Sequence, residues 1–459
     1  MRWRKARSLV VLSVLLALSL SSCKVDWATW GFGGERQSFN PWEETIGSSN
    51  VSRLRQQWSV DLGAYINASP IEATGVEVGR QAIDVVYVGT EHGVLFAIST
   101  GGKILWHREL GRRFADCPDT PDKIYGVSGS AVFDRASNRV YAAGGDGRVY
   151  ALDAGTGAVV PGWPVRITAD PAHEFVYGAL TLSGRNLYVG VASRCDVQPY
   201  HGRLVRIDAE TRRTNAFYVS GSAHGPDGGG IWGWGGASVD PDDGNVYVAT
   251  GNTIAEPQNL FYGDHVVQLD AVLHVLASHS PATGIEDDDF GSTPTLFQKP
   301  GCPAQLVTEQ KNGSLYLYDR DAIASGYRQK LTLLSGGSLI GVAAYSPDTE
   351  MVYVAHPRAF GDMAQGLLAF RLDAACKLRL AWQAKSPVGI GPTPTVANGV
   401  VYYSDGFTPK LHAVDARTGT QLWTSGSDLT PPVLATPIVI NGQVLAGSYD
   451  HDLHAWALP

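Results

Sequence analysis

A unit of short strands and turns recurs along the chain about every 40 to 60 residues, and this repetition limits the fold more than any other feature. Stretch 85–106, VVYVGTEHGVLFAISTGGKILW, holds three alternating apolar runs that are separated by turn residues. Stretches 139–160 and 400–423 repeat this form closely. Five weaker copies lie at 186–211, 245–271, 305–320, 351–382 and 443–456.

Each copy follows a short strand that is rich in Gly, Ser, Thr and Pro, such as INASPIEA from Ile66 or FGSTPTLF from Phe290. A unit of four alternating strands is typical of a propeller blade. The innermost strand needs small residues because all the blades crowd one axis. The pattern predicts an all-β protein, an eight-bladed β-propeller of four-stranded antiparallel blades. Seven blades plus an insertion is the alternative.

The two ends of the repeat region predict how the ring closes. The eighth unit stops at Trp456–Pro459, before its outermost strand. The segment LRQQWSVDL at 54–62 has the pattern of an outermost strand without a blade of its own. Pairing of this N-terminal strand with the last blade would close the ring and remove its free edges.

The first 49 residues stand outside the repeat. A basic start and an apolar run from Ser8 to Leu20 predict a signal peptide over residues 1–22, and Leu20-Ser21-Ser22-Cys23 resembles a bacterial lipobox. We therefore expect lipidation of Cys23, a lipidated linker over 23–49 and the propeller over 50–459. An ordinary signal peptide with a chance cysteine is the alternative. The expected location is extracytoplasmic, and the lipid would be the only membrane attachment.

Charge and cysteine content narrow the function classes. The full chain carries a net charge of −8, or about −12 without the basic start, which argues against a nucleic-acid partner. Four cysteines follow Cys23, an even number that permits two disulfides in an exported protein. A Cys-x-x-Cys-His haem motif does not occur in the sequence.

The repeat ending A-x-D-A-x-T-G-x-x-x-W resembles the quinoprotein-type propeller repeat, from about residue 28 to the end of the chain. One branch of that family contains the pyrroloquinoline quinone (PQQ)-dependent alcohol dehydrogenases, including the polyvinyl-alcohol enzymes. The other contains envelope lipoproteins, such as the outer-membrane assembly propeller, that bind proteins. The fold alone does not choose between the two branches.

The stretch GGGIWGWGGASVDPDDGNVYVATGN at 228–252 is similar to the dehydrogenase segment that holds the cofactors. There a Trp stacks on the quinone and the Asn of a final Gly-Asn binds Ca²⁺. The resemblance assigns stacking to Trp234, by its spacing from Asp240, with Trp232 beside it in the same wall. It assigns calcium binding to Asn252. Packing of both Trp side chains within blade 4 is the alternative.

Three further segments resemble functional stretches of the dehydrogenases. DDDFGSTPTLF at 287–297 implies Asp289 as catalytic base and calcium ligand, and EQKNGSLYLYDR at 309–320 implies Lys311 on the quinone oxygens. GVASRCD at 190–196 implies Asp196 as a calcium ligand. Lanthanide-using relatives carry a second acid two residues after the catalytic one. Here that position is Gly291, which favours Ca²⁺.

All these residues fall on connections that emerge at one end of the predicted ring. One departure from the dehydrogenases concerns the loop RRFADCPDTPDKIYG, where many of those enzymes have two adjacent cysteines and this chain has only Cys117. Two functions remain open. The first is a PQQ- and calcium-dependent dehydrogenase of small or polymeric alcohols that passes electrons to an unidentified acceptor. The second is a non-enzymatic scaffold that binds envelope proteins or polysaccharide.

The strand assignment also predicts two disulfides. Cys117 and Cys195 fall in loops of neighbouring blades at the end that carries the candidate site. Cys302 and Cys376 fall in turns of adjacent blades at the opposite end. Each bridge would restrain long loops in an oxidising compartment.

Overall fold

The computed structural model describes residues 24–118, 120–254, 260–281, 287–389, 391 and 393–459. The predicted signal peptide and Cys23 lie outside these residues. Within them we find no helix that is both long enough and apolar enough to cross a membrane.

Eight antiparallel sheets surround one axis, as the repeat predicts. In each blade the first strand in chain order lies innermost, since successive first strands contact one another from blade 1 to blade 8. In blades 1 to 4 the strands are, in chain order, Ile71–Val78, Gln81–Gly89, Val94–Ser99 and Ile104–Glu109; Val132–Asp134, Arg139–Gly144, Arg148–Asp153 and Val165–Arg166; Thr181–Ser183, Asn186–Val191, Arg203–Asp208 and Thr214–Tyr218; Ser238–Val239, Val246–Ala249, Val266–Leu269 and Val275–His279.

Blades 5 to 7 continue the same order, and blade 8 takes its outer strand from the N-terminal part of the chain. Their strands are Thr295–Phe297, Gln305–Gln310, Ser314–Asp319 and Gln329–Thr332; Ala344–Ser346, Met351–His356, Gly366–Leu372 and Leu378–Lys385; Thr395–Ala397, Val400–Ser404, Leu411–Asp415 and Gln421–Thr424; Ile438–Ile440, Gln443–Gly447, Asp452–Ala457 and Arg55–Asp61. Outside the blades lie a hairpin of Arg113–Phe114 with Ile124–Tyr125 and the 3₁₀ turns Val51–Arg53, Pro121–Lys123, Arg194–Asp196 and Arg320–Ser325.

The predicted closure of the ring is confirmed. Strand Arg55–Asp61 pairs antiparallel with the last strand of the chain, with Arg55 opposite Ala457 and Asp61 opposite Asp452. The eighth blade therefore has four strands, and the ring has no open blade edge at its junction. Buried aliphatic and aromatic residues of neighbouring blades fill the space between the sheets.

Residues 24–40, here called the axial segment, differ from the linker expected over 23–49. The segment lies in the ring axis, and Phe39–Asn40 pairs in parallel with the innermost strand of blade 7. Its side chains Trp27 and Trp30 are buried. The sequence pattern missed this role because the segment has no strand alternation, and its apolar residues acquire partners only when the ring is complete.

The axial segment forms a hydrogen bond with the innermost strand of every blade. From blade 1 to blade 8 the pairs are Trp27 N–H to Glu72 O (2.9 Å), Phe133 N–H to Ala28 O (2.7 Å), Arg36 Nη2 to Thr181 Oγ1, Val239 N–H to Gly34 O (2.9 Å), Leu296 N–H to Glu35 O (2.9 Å), Tyr345 N–H to Gln37 O (2.9 Å), Val396 N–H to Ser38 O (2.8 Å) and Asn40 Nδ2 to Val439 O (2.8 Å). The segment thereby closes one end of the axis.

The opposite end of the ring is here called the mouth. It carries the connections between second and third strands and those from each outer strand to the next blade. Both predicted disulfides are present, and they lie at opposite ends of the ring as expected. Cys117–Cys195 lies at the mouth, and Cys302–Cys376 joins turns of blades 5 and 6 at the end of the axial segment.

Candidate functional site

The mouth gathers the connections on which the candidate residues lie. Asp196, Asn252 and Lys311 follow the second strands of blades 3, 4 and 5. Asp289 lies between blades 4 and 5, and both candidate Trp residues lie between blades 3 and 4. The chain positions are therefore those expected from the sequence. Asp289, Lys311 and Trp232 contact one another, whereas Trp234 packs against a different set of side chains.

The first group is centred on an ion pair between Asp289 and Lys311. Lys311 Nζ lies 2.7 Å from Asp289 Oδ1 and 2.6 Å from Asp287 Oδ1. The backbone N–H of Lys311 also donates to the Asp289 carbonyl at 3.0 Å. Because main-chain and side-chain contacts join the same two residues, the pair is held in one geometry.

Trp232 completes this first group. Its Nε1 donates a 2.9 Å hydrogen bond to Asp289 Oδ2, and Lys311 Nζ lies 5.1 Å from its ring centroid. A Cβ at Gly291 would stand 2.6 Å from Trp232 Cη2 and 2.9 Å from Ile340 Cγ1. The Trp232 ring thus occupies the space beside residue 291, and a second acid at that position would require the ring to move.

Burial gives Asp289 unusual acid–base behaviour. The side chain is almost inaccessible, and burial raises its pKa to about 7 against the opposing attraction of Lys311. Burial lowers the pKa of Lys311, but the carboxylates of Asp289 and Asp287 outweigh that effect and hold it above its usual value. A carboxyl group that titrates near neutrality can accept or donate a proton at physiological pH.

The second group is a cluster of three side chains, Trp234, Tyr177 and Arg194. The Tyr177 ring lies 5.5 Å from the Trp234 ring at an interplanar angle of 72°, and the Arg194 guanidinium lies 4.6 Å from the Tyr177 centroid. Trp30 of the axial segment packs against Trp234 together with Ala179 and Val342. The axial segment thereby forms the floor beneath the mouth.

A buried ion pair fixes Arg194 in this cluster. Its Nη2 lies 3.0 Å from Oε1 of Glu91, which has no exposed surface. Ser128 Oγ donates to that carboxylate, and Arg194 Nη1 donates to Thr120 Oγ1 at 3.3 Å. The sequence pattern did not predict a role for Glu91, Tyr177 or Arg194. The one available signal was the position of Arg194 beside Cys195, whose disulfide holds the loop.

Two of the three predicted calcium ligands have side-chain partners within the protein. The carboxylate of Asp196 is exposed and accepts a hydrogen bond from the Tyr200 hydroxyl, whereas that of Asp289 contacts Lys311 and Trp232. The main-chain carbonyl of Asn252, which is not its predicted ligand atom, accepts a 2.7 Å hydrogen bond from the Gly229 N–H. In the part of the chain that the structure describes, His, Cys, Asp and Glu side chains form no group of three or more that could hold a metal ion.

These contacts test whether PQQ and Ca²⁺ fit the residues present. Stacked planar rings lie about 3.5 Å apart, so a centroid distance of 5.5 Å leaves no layer for a third ring between Trp234 and Tyr177. The residues in this arrangement therefore do not fit the quinone between these two rings. A Cβ at Gly251, the residue before Asn252, would stand 3.2 Å from Asp289 Oδ2, so the Asn252 and Asp289 segments lie close together.

Two segments of the chain match family models. Residues 27–171 match the model described as glucose/ethanol/alcohol dehydrogenase, beta-propeller domain. Residues 377–458 match the model described as outer membrane protein assembly factor BamB. The resemblance to quinoprotein-type propeller repeats is thereby confirmed, and the two matches fall in the two branches of that family.

Curated relatives are similar at low identity. The chain is 26% identical over 345 residues to a quinohemoprotein alcohol dehydrogenase of Comamonas testosteroni, covering 64% of this chain and 45% of that protein. It is 22% identical over 483 residues to a polyvinylalcohol dehydrogenase of Pseudomonas sp, covering 94% and 65%. The chain thus spans less than two thirds of the length of both relatives.

Solved structures share the fold. A quinohemoprotein alcohol dehydrogenase from Pseudomonas putida HK5 superposes with a TM-score of 0.73 at 17% identity, covering 94% of this chain and 80% of that one. A europium-containing methanol dehydrogenase gives 0.73 at 17%, covering 94% and 98%. BamB from Moraxella catarrhalis gives 0.58 at 15%, covering 88% and 99%. At these identities the likeness is one of architecture.

Proposed function

We propose that this chain is a quinoprotein-type propeller of the cell envelope that binds a ligand at its mouth without a resident quinone. The observation that carries the proposal is the cluster of Trp234, Tyr177 and Arg194. The chain's own side chains lie against the indole to which the resemblance assigned quinone stacking. The buried ion pair of Arg194 with Glu91 opposes displacement of this cluster, because moving Arg194 away from Glu91 would leave an uncompensated buried charge.

The lining of a groove beside Lys311 favours a polar, hydroxyl-bearing ligand such as a polysaccharide segment. Its volume is about 490 Å³, within the usual range of ligand sites. Leu334 is the one large apolar side chain among the described lining residues. The rest are charged, hydroxyl, amide or glycine residues: Asp287, Asp288, Lys311, Asn312, Ser314, Lys330, Thr332, Ser335, Gly336, Gly337 and Ser338. A protein partner would instead favour an apolar anchor pocket.

The second candidate function is a PQQ- and calcium-dependent alcohol dehydrogenase, and one observation favours it. Asp289, with its pKa near 7, hydrogen-bonds to Trp232 and pairs with Lys311. That is the combination of a base and a cation which the resemblance assigned to alcohol oxidation. The alcohol and the electron acceptor would then be partners of the same mouth.

The first experiment separates these two candidates. Purified protein is titrated with PQQ in the presence of Ca²⁺ by calorimetry. A Tyr177→Ala variant, which removes the ring that packs against the Trp234 indole, is titrated in the same way. We expect no saturable binding by the unmodified protein. Saturable, calcium-dependent binding together with dye reduction by alcohols would overturn the proposal and establish the dehydrogenase.

The second experiment tests the groove. A panel of neutral oligosaccharides and sugar alcohols is titrated into the protein and into Ser314→Ala and Thr332→Val variants. Ser222→Ala changes a hydroxyl at the mouth outside the groove and is the matched control. We expect at least one panel member to bind, with about tenfold weaker binding in the two groove variants and no change in the control. Equal losses in all three variants, or no binding by any panel member, would contradict the assignment of the groove.

A further inference from the structure

We propose that the face of the ring opposite the mouth docks on a lipid bilayer through Trp42, so that the mouth points away from the membrane. The inference goes beyond ligand binding and rests on the proposed lipidation of Cys23. It is carried by three observations: where the chain enters the fold, which aromatic side chain is exposed there, and how the charges of that face are paired.

The chain enters the fold directly after Cys23. Lys24 Nζ pairs with Asp84 at 2.6 Å. Val25 exchanges two hydrogen bonds with the Asn441 side chain, at 3.1 and 3.0 Å. Since one residue spans at most about 3.6 Å, a lipid on Cys23 would begin about 7 Å from the fixed position of Val25. A tether this short does not let the ring turn its mouth toward the bilayer.

Trp42 is the exposed aromatic residue beside this entry point. Its side chain is 63% exposed, whereas Trp27 and Trp30 of the axial segment are buried. The next residue, Glu43, accepts a hydrogen bond from the Gly442 N–H in the first turn of blade 8, which places Trp42 on the face opposite the mouth. An indole with an apolar body and one N–H donor suits the interface between lipid and water.

Four ion pairs on this face offset part of its charge and favour a contact that depends on apolar burial. Lys24 pairs with Asp84, Arg135 with Asp26, Lys299 with Glu350, and Arg379 with Asp373. The whole chain is also acidic. Attachment to zwitterionic vesicles should therefore persist at high salt, because little of it comes from attraction to anionic headgroups.

The experiment uses the full lipidated chain in phosphatidylcholine vesicles that contain brominated acyl chains, which quench tryptophan at short range. We expect a fraction of the emission to be quenched and that fraction to be lost in Trp42→Phe. The control adds Phe407→Trp to the Trp42→Phe chain, because Phe407 lies at the mouth with a similar exposure of 55%. The new indole should not be quenched.

Two results would overturn the docking. One is quenching of the indole at position 407 as strong as that of Trp42. The other is a mature chain without an acyl group at Cys23 by mass spectrometry. Neither result bears on the groove at the mouth, since oligosaccharide binding is measured without membranes, so failure of the docking and failure of the proposed function can be told apart.

Discussion

Trp232 donates its indole N–H to Asp289 at 2.9 Å while its ring fills the space beside Gly291. One side chain thereby supplies a hydrogen bond to the buried carboxylate and occupies the space that an acidic side chain at position 291 would need. The Asp289 carboxylate is consequently held by a residue that the resemblance had placed only in the cofactor wall.

Replacement of Trp232 by Phe should raise the pKa of Asp289 further above its value of about 7. The hydrogen bond favours the ionised carboxylate, and its loss favours the protonated form. The pKa can be followed through the carboxyl ¹³C shift of labelled aspartate. Trp234→Phe, which changes the neighbouring indole, should leave the titration midpoint unchanged. An identical midpoint in both variants would show that the Trp232 bond has no electrostatic effect.

The stability of the protein should fall as pH rises from 5 to 8, partly because of Glu309. This fully buried side chain lies on the second strand of blade 5, and burial raises its pKa to about 8. Between about pH 4.5 and 8 the native state keeps a proton that the unfolded chain releases, so the free energy of unfolding decreases with pH.

Glu309→Gln removes this titration while keeping the shape of the side chain. Urea unfolding at several pH values should show a slope that is less negative by about 1 kcal/mol per pH unit in the variant. Some slope should remain, because burial also raises the pKa of Glu72 to about 8 and that of Asp289 to about 7. A parallel curve for the variant would mean that Glu309 is ionised in the folded protein.

The ion pair between Glu91 and Arg194 should be strongly coupled. Arg194→Met leaves the Glu91 carboxylate buried without its cation, which costs about 3 to 5 kcal/mol in comparable pairs. The double variant Glu91→Gln/Arg194→Met removes both charges and should recover most of that loss. The free energies of unfolding of the two single variants and the double variant form the test. Additive losses would contradict the pairing.

The repeat pattern was sufficient to predict the blades, the closure and both disulfides. Strand alternation and turn residues are local signals, and the four later cysteines lie in turns whose end of the ring follows from strand order. Tyr177 and Arg194 were missed because their role depends on distant partners. Arg194 contacts Glu91 across 103 residues of sequence, and burial of such a pair leaves no periodic pattern. The axial segment was missed for the same physical reason, since its partners come from all eight blades.

Arg36 should be the side chain of the axial segment whose loss destabilises the ring most. It is fully buried at the axis and donates to the carbonyl oxygens of Ala237, Trp30 and Leu180 at 3.1, 2.6 and 3.2 Å. Ala237 O also accepts from the Thr181 hydroxyl at 2.7 Å, so Arg36→Met would leave the Trp30 and Leu180 carbonyls without their donor, at roughly 1 to 3 kcal/mol each. Urea unfolding should therefore show a loss of at least about 2 kcal/mol. Lys24→Met, which removes an exposed pair in the same segment, should cost less than about 1 kcal/mol. If the two variants lost similar amounts, the axial segment would cover the ring without holding its blades together.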